Sequence, residues 1–203
     1  MIIALTGYSN SGKSTVSKYL VEQLNFIELS FSSALKDVVG QLFSWDRNLL
    51  EGTTPESRIW RETVDTKWSK SFNQPDLTPR KVLQTFGTNV IRNFQDDFWI
   101  KILENKIIDI LNMNKDANIV ITDARFLNEI AFIKSYGGTI YWVIRDLPVY
   151  HNEIVEAINS NGIPNIKVHR SEWEFLMEPK KIVVRNDGTL EDLETKLNFI
   201  FKN

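Results

Sequence analysis

The sequence predicts an α/β fold built on a central, mostly parallel sheet of five strands. Strand-like and helix-like segments alternate along the chain, which is typical of a parallel sheet covered by helices. Hydrophobic residues make up 42% and charged residues 25% of the 203 residues, as in a globular chain long enough to bury a sizeable core. No internal repeat or low-complexity tract interrupts the alternation. We therefore expect one domain.

Short apolar runs that end in glycine or polar residues predict the strands. The first run ends at Gly7. The run that ends at Thr122 is the clearest candidate for a central, fully buried strand, because three branched apolar residues follow one another there. The five predicted strands cover residues 2–6, 26–31, 118–122, 139–144 and 181–185.

Apolar residues spaced three and four positions apart predict the helices. Pro79 is well placed to begin a helix over 80–94, since proline suits the first helical turn. On that helix, four apolar residues are expected to pack inward: Leu83, Phe86, Val90 and Phe94. The other predicted helices cover 14–24, 34–43, 58–68, 96–111, 126–136 and 190–201.

Composition and charge exclude several classes of protein. The chain has no cysteine, which excludes a disulfide framework, a thiolate nucleophile and a cysteine-based zinc site. Its two histidines, His151 and His169, are too few for a multi-histidine metal centre. The formal charge of −2 lacks the basic excess of a duplex-binding protein. No apolar stretch approaches the roughly 20 residues that cross a bilayer. We expect a cytoplasmic enzyme that binds neither nucleic acid nor membrane.

Residues 7–14, GYSNSGKS, match the phosphate-loop pattern G-x-x-x-x-G-K-[ST] in full. A predicted strand precedes the motif and a predicted helix follows it, which argues against a chance match in a glycine- and serine-rich turn. Glycines let backbone N–H groups turn toward phosphate oxygens, and the helix N-terminus favours an anion. Lys13 is expected to reach the β- and γ-phosphates of a nucleoside triphosphate, and Ser14 to bind Mg²⁺. The predicted nucleotide-binding residues of the loop are Gly7, Ser9, Asn10, Ser11, Gly12, Lys13, Ser14 and Thr15.

Asp123 and Arg125 follow the predicted central strand. A parallel strand delivers the residue after its carboxyl end into the ligand crevice, beside the phosphate loop. A carboxylate there is able to hold Mg²⁺ through a water or to accept a hydrogen bond from the acceptor's phosphate. An arginine there is able to neutralise phosphate with a bidentate fork. The alternative is an exposed Asp–Arg ion pair that contributes about 0–1 kcal/mol. Given the phosphate loop, we predict metal binding by Asp123 and phosphate contact by Arg125.

One face of the predicted helix 80–94 is polar. Arg80, Gln84 and Thr88 lie four positions apart and therefore share that face. A polar stripe that begins with arginine suits the pocket for a phosphorylated acceptor, and it suits a plain solvated face equally well.

Residues 146–180 contain three prolines and are predicted to form an inserted, mobile lid. Phosphoryl transfer must exclude water, and a closing lid that brings Arg170 over the transferring group suits that chemistry. His169 lies beside it, but a lone histidine is weak evidence for a catalytic base.

The order of these segments resembles that of the deoxynucleoside monophosphate kinases of the T-even-phage type. The resemblance rests on the phosphate loop, on DAR at 123–125, and on further segments whose shared order is more specific than any one of them. Those segments are ALKD (34–37), RKVLQTFGT (80–88), FWIK (98–101), HRSE (169–172) and NDGTLEDL (186–193). The resemblance covers most of the chain and is interrupted over 44–77.

This resemblance implies a three-layer P-loop kinase fold in one domain over 1–203, with a helical acceptor-binding region over 44–111 and a lid over 146–180. It implies ATP-dependent phosphorylation of a deoxynucleoside monophosphate to the diphosphate, with Mg²⁺ as cofactor. Asn186 and Gly188 are then expected to lie against the adenine. The residues implied for acceptor binding are Lys36, Arg80, Gln84, Trp99 and Arg125. Those implied for catalysis are Lys13, Asp123, Arg125 and Arg170.

Other functions stay open at this point. The same fold accepts several small phosphorylated metabolites, so a different acceptor is one alternative. A nucleotide-dependent switch that hydrolyses ATP slowly is another, although the sequence has no obvious interaction tail. A kinase of polynucleotide ends is less favoured because the chain lacks a basic stripe. Kinases of this kind are often dimers, and a homodimer is compatible with the sequence.

Overall fold

The structure is a computed structural model, and it describes residues 1–160, 162, 164 and 167–202. The chain divides into two compact units. The sheet unit comprises 1–30 and 106–203, and the helical unit comprises 31–105. The predicted acceptor-binding region, 44–111, overlaps most of the helical unit. Its role, like the single-domain boundaries and the role of the segment 146–180, stays a prediction, and residues 161, 163, 165 and 166 of that segment lie outside the described residues.

The sheet unit contains five parallel strands, which confirms the predicted fold class. They are β1 (Ile2–Thr6), β2 (Ile27–Leu29), β3 (Ile119–Ile121), β4 (Thr139–Ile144) and β5 (Ile182–Arg185). Their order across the sheet is β2-β3-β1-β4-β5, and each pairing is parallel. β3, the strand predicted from its apolar run to be central and fully buried, is an interior strand between β2 and β1, and its three residues are fully buried.

Helices connect the strands and form the second unit. In chain order they are α1 (Lys13–Leu24), α2 (Ser33–Phe43), α3 (Arg47–Glu51), α4 (Pro55–Glu62), α5 (Thr66–Ser71), α6 (Pro79–Gln84), α7 (Ile91–Phe94), α8 (Phe98–Met113), α9 (Leu127–Ser135), α10 (His151–Asn159) and α11 (Leu190–Lys202). A π-helical segment, Thr85–Val90, joins α6 to α7, and 3₁₀ turns cover Arg170–Glu172 and Glu174–Met177. Among the described helices, none is both long enough and apolar enough to cross a membrane.

The sheet unit has three layers. On one face, α1 and α11 pack against alternate strand residues, which together form a buried core: Ile3, Leu5, Val16, Leu20, Val120, Tyr141, Val143, Val184, Leu193 and Leu197. α9 contacts β1 and β4 and covers the opposite face, where Ile130 and Ile133 are buried. Successive side chains of a strand point to opposite faces of the sheet. Because helices cover both faces of β1, its sequence is a continuous apolar run rather than an alternation of apolar and polar residues.

β1 lies between β3 and β4, at the point where the direction of the crossovers reverses. In open parallel sheets, ligands bind at the carboxyl ends of the strands beside such a switch point. The chain leaves that edge after β1 at Gly7, after β3 at Thr122 and after β5 at Asn186. The fold therefore brings segments that are far apart in sequence to one edge.

The helical unit corrects the predicted helix over 58–68, which was wrong. α4 ends at Glu62, and Thr63 is extended, with φ −83° and ψ 138°. The Asp65 carboxylate then accepts a hydrogen bond of 2.9 Å from the N–H of Trp68 and begins α5 as its N-cap. A β-branched pair, Thr63-Val64, followed by a capping aspartate ends one helix and starts the next.

The helix predicted over 80–94 forms, but its inner face is not the predicted one. Leu83 is buried, whereas Val90 is 48% and Phe94 is 80% exposed, so the inward packing expected for those two was wrong. The π-helical segment places one extra residue in its turn, which rotates the following residues around the axis by about 100°. As a result Arg92 is the buried residue of α7, whereas Val90, which precedes α7, and Phe94 are exposed.

We expect replacement of Leu20 by Ala to destabilise the protein by about 2–5 kcal/mol. Leu20 is fully buried in the core between α1, α11 and the sheet. Leu190→Ala is the matched control in the same unit, because Leu190 is 59% exposed, and it should cost less than about 1 kcal/mol. Urea unfolding followed by circular dichroism measures both. Equal losses in the two variants would contradict the described core.

Candidate active site

The loop between β1 and α1 has the backbone conformation that the motif predicts. Gly7, Asn10 and Gly12 have positive φ angles of 140°, 63° and 101°. A Cβ atom at Gly7 would lie 2.4 Å from the carbonyl oxygen of Val143 on β4, so only glycine fits there. The loop is thereby held close against the sheet and curls into the start of α1.

Lys13 folds back over this loop. Its Nζ donates hydrogen bonds to the carbonyl oxygens of Gly7 (2.9 Å) and Tyr8 (2.7 Å). The hydroxyl of Ser11 is buried and has no hydrogen-bond partner among the described residues. Four further predicted ligand residues are exposed: Ser9, Asn10, Ser14 and Thr15. An anion bound in the loop would give the Ser11 hydroxyl a hydrogen-bond partner. It would also compensate the charge of Lys13, whose hydrogen bonds among the described residues go to two carbonyl oxygens.

Two cations share this site. Burial, and secondly the positive charge of Arg125, lower the pKa of Lys13 to about 7, while the carboxylates of Glu172 and Asp123 act in the opposite direction. The Glu172 carboxylate is also the main cause that raises the pKa of Arg125. Lys13, Asp123 and Arg125, three of the four predicted catalytic residues, therefore lie within electrostatic reach of one another.

Arg125 and Asp123 are each held by a defined partner. Nη1 of Arg125 donates to the carbonyl oxygen of Ser171 (3.0 Å) and to Oε1 of Glu172 (2.9 Å). Oδ2 of Asp123 accepts a hydrogen bond of 2.7 Å from the hydroxyl of Ser30, at the end of β2. The Arg–Glu pair comes from two segments that are far apart in sequence.

Arg170, the fourth predicted catalytic residue, is placed differently. It pairs with Glu174, and its guanidinium lies over the ring of Phe126, 5.7 Å from the centroid. Its side chain is 60% exposed. The structure does not bring Arg170 into contact with the phosphate loop, and its role as a lid arginine stays a prediction.

Asn186 contacts the phosphate loop directly. Its Nδ2 donates to the carbonyl oxygen of Ser11 (3.0 Å), and a Cβ atom at Gly12 would lie 2.1 Å from the same nitrogen. Gly188 precedes the first turn of α11, where Thr189 and Asp192 cap each other's backbone N–H groups. In this structure Asn186 supports the loop. Contact of Asn186 and Gly188 with adenine stays a prediction.

The predicted acceptor-binding residues other than Arg125 belong to the helical unit. Lys36 pairs with Glu51 at 2.6 Å, and Arg80 with Glu62 at 2.9 Å. Gln84 is half-buried at the end of α6. The indole N–H of Trp99 donates to the carbonyl oxygen of Gly87 (2.9 Å), and Trp99 is only 7% exposed. Acceptor binding by these four residues stays a prediction.

Two residues of the site escape sequence reasoning. Glu172 meets Arg125 across 47 positions, and no local pattern signals that contact. Tyr8, a variable position of the motif, shares a hydrogen bond of 2.7 Å with Nδ1 of His151 on α10. Burial of the Tyr8 phenol raises its pKa above the ordinary range. The motif predicts which ligand the loop binds, but it does not predict which distant side chains contact the residues of the site.

The described residues contain no group of three or more histidine, aspartate and glutamate side chains that could hold a metal ion. Mg²⁺ does not need such a cage, because it keeps several waters and binds through one or two protein groups together with substrate phosphates. The exposed hydroxyl of Ser14 and the half-buried carboxylate of Asp123 fit that requirement. These are the residues that would hold the ion.

Comparisons with known proteins show which kinases the chain is similar to. A family model described as Deoxynucleotide monophosphate kinase matches residues 51–197. A protein of Acanthamoeba polyphaga mimivirus, named for the same activity, is 32% identical over 206 residues, which cover 97% of this chain and 94% of that protein. The deoxynucleotide monophosphate kinase of Escherichia phage RB69 is 27% identical over 124 residues, covering 61% of this chain and 44% of that one. A dephospho-CoA kinase of Fusobacterium nucleatum is 29% identical over 203 residues, covering 97% and 95%.

We expect the affinity for sulfate to fall as the pH rises. Lys13, with its pKa of about 7, loses its charge as the pH rises through neutrality, whereas sulfate remains a dianion. If binding requires the charged lysine, the dissociation constant rises about tenfold between roughly pH 6 and pH 8. Isothermal titration calorimetry measures it. Lys13→Met should bind weakly with a flat pH profile, and a wild-type affinity that does not change would contradict the low pKa.

Proposed function

The chain belongs to the deoxynucleotide monophosphate kinase family, and on that premise we propose that it transfers the γ-phosphoryl group of ATP to a deoxynucleoside monophosphate, giving ADP and the diphosphate. The observation that most directly supports the proposal is that two positively charged side chains, Lys13 in the phosphate loop and Arg125 after β3, lie within electrostatic reach of each other. Two cations at one site suit two phosphate groups that must approach each other. A small-molecule acceptor and a cytoplasmic location belong to the same proposal.

The proposed reaction is an in-line displacement at the γ-phosphorus. An oxygen of the acceptor phosphate forms a bond to phosphorus as the bond to the β–γ bridging oxygen breaks, and the electron pair leaves with ADP. The acceptor oxygen is already ionised at neutral pH, so no protein base is required. Catalysis then consists of positioning and neutralisation of charge.

The residues of the sheet unit divide these tasks. Lys13 exchanges its two carbonyl partners for oxygens of the β- and γ-phosphates, while the N–H groups of the loop bind the same oxygens. Arg125 contacts phosphate from the end of β3. Ser14 and Asp123 would hold Mg²⁺. When bound, that ion neutralises charge on the phosphates and fixes their orientation.

A different phosphorylated acceptor is the second candidate. The dephospho-CoA kinase of Fusobacterium nucleatum aligns with 97% of this chain, which is the observation that favours it. The family model, which matches 51–197, and the mimivirus relative favour the deoxynucleotide. Both candidate functions would use the phosphate loop of this chain and differ in the acceptor, so an acceptor panel separates them.

We expect one or a few deoxynucleoside monophosphates to stimulate release of ADP from Mg-ATP, with an equal amount of diphosphate formed. The panel contains the common deoxynucleotides, the corresponding ribonucleotides and dephospho-CoA, and a reaction without acceptor gives the background hydrolysis. Chromatography of the nucleotides measures both products. Stimulation by dephospho-CoA alone would establish the second candidate. Slow hydrolysis that no acceptor stimulates would instead favour a nucleotide-dependent switch.

Replacement of Lys13 by Ala should lower kcat/KM by about 10²- to 10³-fold without unfolding the protein. The folded state disfavours the charged lysine, as its lowered pKa indicates, so loss of this side chain removes no stabilising charge at neutral pH. Lys18→Ala is the control on the same helix, since the Lys18 side chain is 72% exposed. Steady-state kinetics and a thermal melt test the pair. A folded Lys13→Ala enzyme with nearly normal turnover would refute the assigned role.

A further inference from the structure

Glu172 is a buried acid that the proposed reaction does not yet use. It is 7% exposed and ends the 3₁₀ turn Arg170–Glu172. A carboxylate so placed is unfavourable unless a cation or hydrogen-bond donors compensate it. Its Oε1 accepts the 2.9 Å hydrogen bond from Nη1 of Arg125, a residue placed here in contact with phosphate.

The neighbouring backbone acts on the same nitrogen. Nη1 of Arg125 also donates to the carbonyl oxygen of Ser171, at 3.0 Å. The backbone N–H of Arg125 donates to Oε2 of Glu129, at 2.8 Å. Arg125 is therefore fixed at its main chain and at one end of its guanidinium group.

This arrangement leaves one edge of the guanidinium group available. Among the described residues, neither Nε nor Nη2 of Arg125 has a hydrogen-bond partner, and the side chain is 29% exposed. The edge formed by Nε and Nη2 is one that binds two oxygens of a phosphate group at once. Holding Nη1 from behind directs that edge without occupying it.

Charge adds a second argument. Arg125 lies close enough to Lys13 for its positive charge to lower the pKa of Lys13, and the Glu172 carboxylate raises the pKa of both side chains. The same carboxylate therefore orients Arg125 and favours the charged form of both side chains before a phosphate is bound.

We propose that Glu172 is a positioning residue for phosphoryl transfer: it holds Arg125 by Nη1 so that the Nε–Nη2 edge meets the phosphate. The proposal rests on the proposed kinase function. It also gives the segment 146–180 a task that does not depend on Arg170, because Ser171 and Glu172 both come from that segment.

The kinetic test compares Glu172→Gln with Glu172→Asp and with a matched control, Glu178→Gln. Glu178 is 8% exposed and pairs with Lys134 at 2.6 Å in the same unit, so its loss removes an equally buried ion pair elsewhere. We expect Glu172→Gln to lower kcat by about 10- to 100-fold with KM for ATP changed less than about threefold. Glu172→Asp should recover part of the loss, and Glu178→Gln should keep wild-type kcat. A wild-type kcat in Glu172→Gln, or an equal loss in Glu178→Gln, would overturn the proposal.

A spectroscopic test does not require turnover. The Nε–H resonance of Arg125, identified by its absence in Arg125→Lys, should shift when inorganic tripolyphosphate is added to the wild-type protein. In Glu172→Gln we expect that resonance to broaden and to shift less than half as far. An unchanged response would refute the role of Glu172 even if the acceptor panel gave no activity. A shifted wild-type resonance with an empty acceptor panel would refute the kinase function alone.

Discussion

The structure depends on bringing two positive charges, Lys13 and Arg125, into one largely buried site. Like charges in such a place repel each other, and burial adds a penalty for each. Carboxylates partly compensate these charges: Glu172 accepts a hydrogen bond from Arg125, and Asp123 lies nearby. Lys13 is held by hydrogen bonds to the carbonyl oxygens of Gly7 and Tyr8. A phosphate group is the ligand that relieves the remaining repulsion, because its charge compensates both cations at once. Burial first, and the positive charge of Arg125 second, keep the pKa of Lys13 low when no phosphate is bound.

The parallel sheet is what makes this arrangement possible. Strands that run in one direction release their following loops at one edge, so β1, β3 and β5 deliver residues from the beginning, middle and end of the chain to one place. β1 occupies the centre, where apolar cover on both faces fixes its register. The loop after β1 is then secured from two sides: Gly7 against the carbonyl of Val143, and Asn186 against the carbonyl of Ser11. A loop held in this way need not be ordered by its ligand, which favours binding.

Features set by local sequence could be predicted, and features set by distant contacts could not. The strands follow from short apolar runs, and the phosphate loop follows from eight consecutive residues that specify their own backbone. The inward packing predicted for Val90 and Phe94 was wrong because periodicity assumes a regular helix, and the π-helical segment Thr85–Val90 changes the phase. The helix over 58–68 was wrong because Asp65 caps a new helix where the apolar pattern continues. Glu172 was not assigned a role because the chain folds across 47 positions to bring it to Arg125.

The cations assigned to phosphate differ in how firmly their acidic partners hold them. Glu62, which pairs with Arg80 in the helical unit, has a side chain that is 58% exposed, and such pairs contribute only about 0–1 kcal/mol. A phosphate is therefore able to displace the Glu62 carboxylate into water with little loss of free energy.

Glu172 has a side chain that is only 9% exposed, so it is not able to move into water in the same way. It must stay beside Arg125 when phosphate arrives, so its negative charge remains near the reacting groups. That charge is tolerable only because it lies on the Nη1 side of the guanidinium group, with the positive charge of Arg125 between it and the phosphate. Burial thus keeps Glu172 beside Arg125 whether or not phosphate is bound, whereas the exposed Glu62 is able to leave Arg80 when phosphate binds.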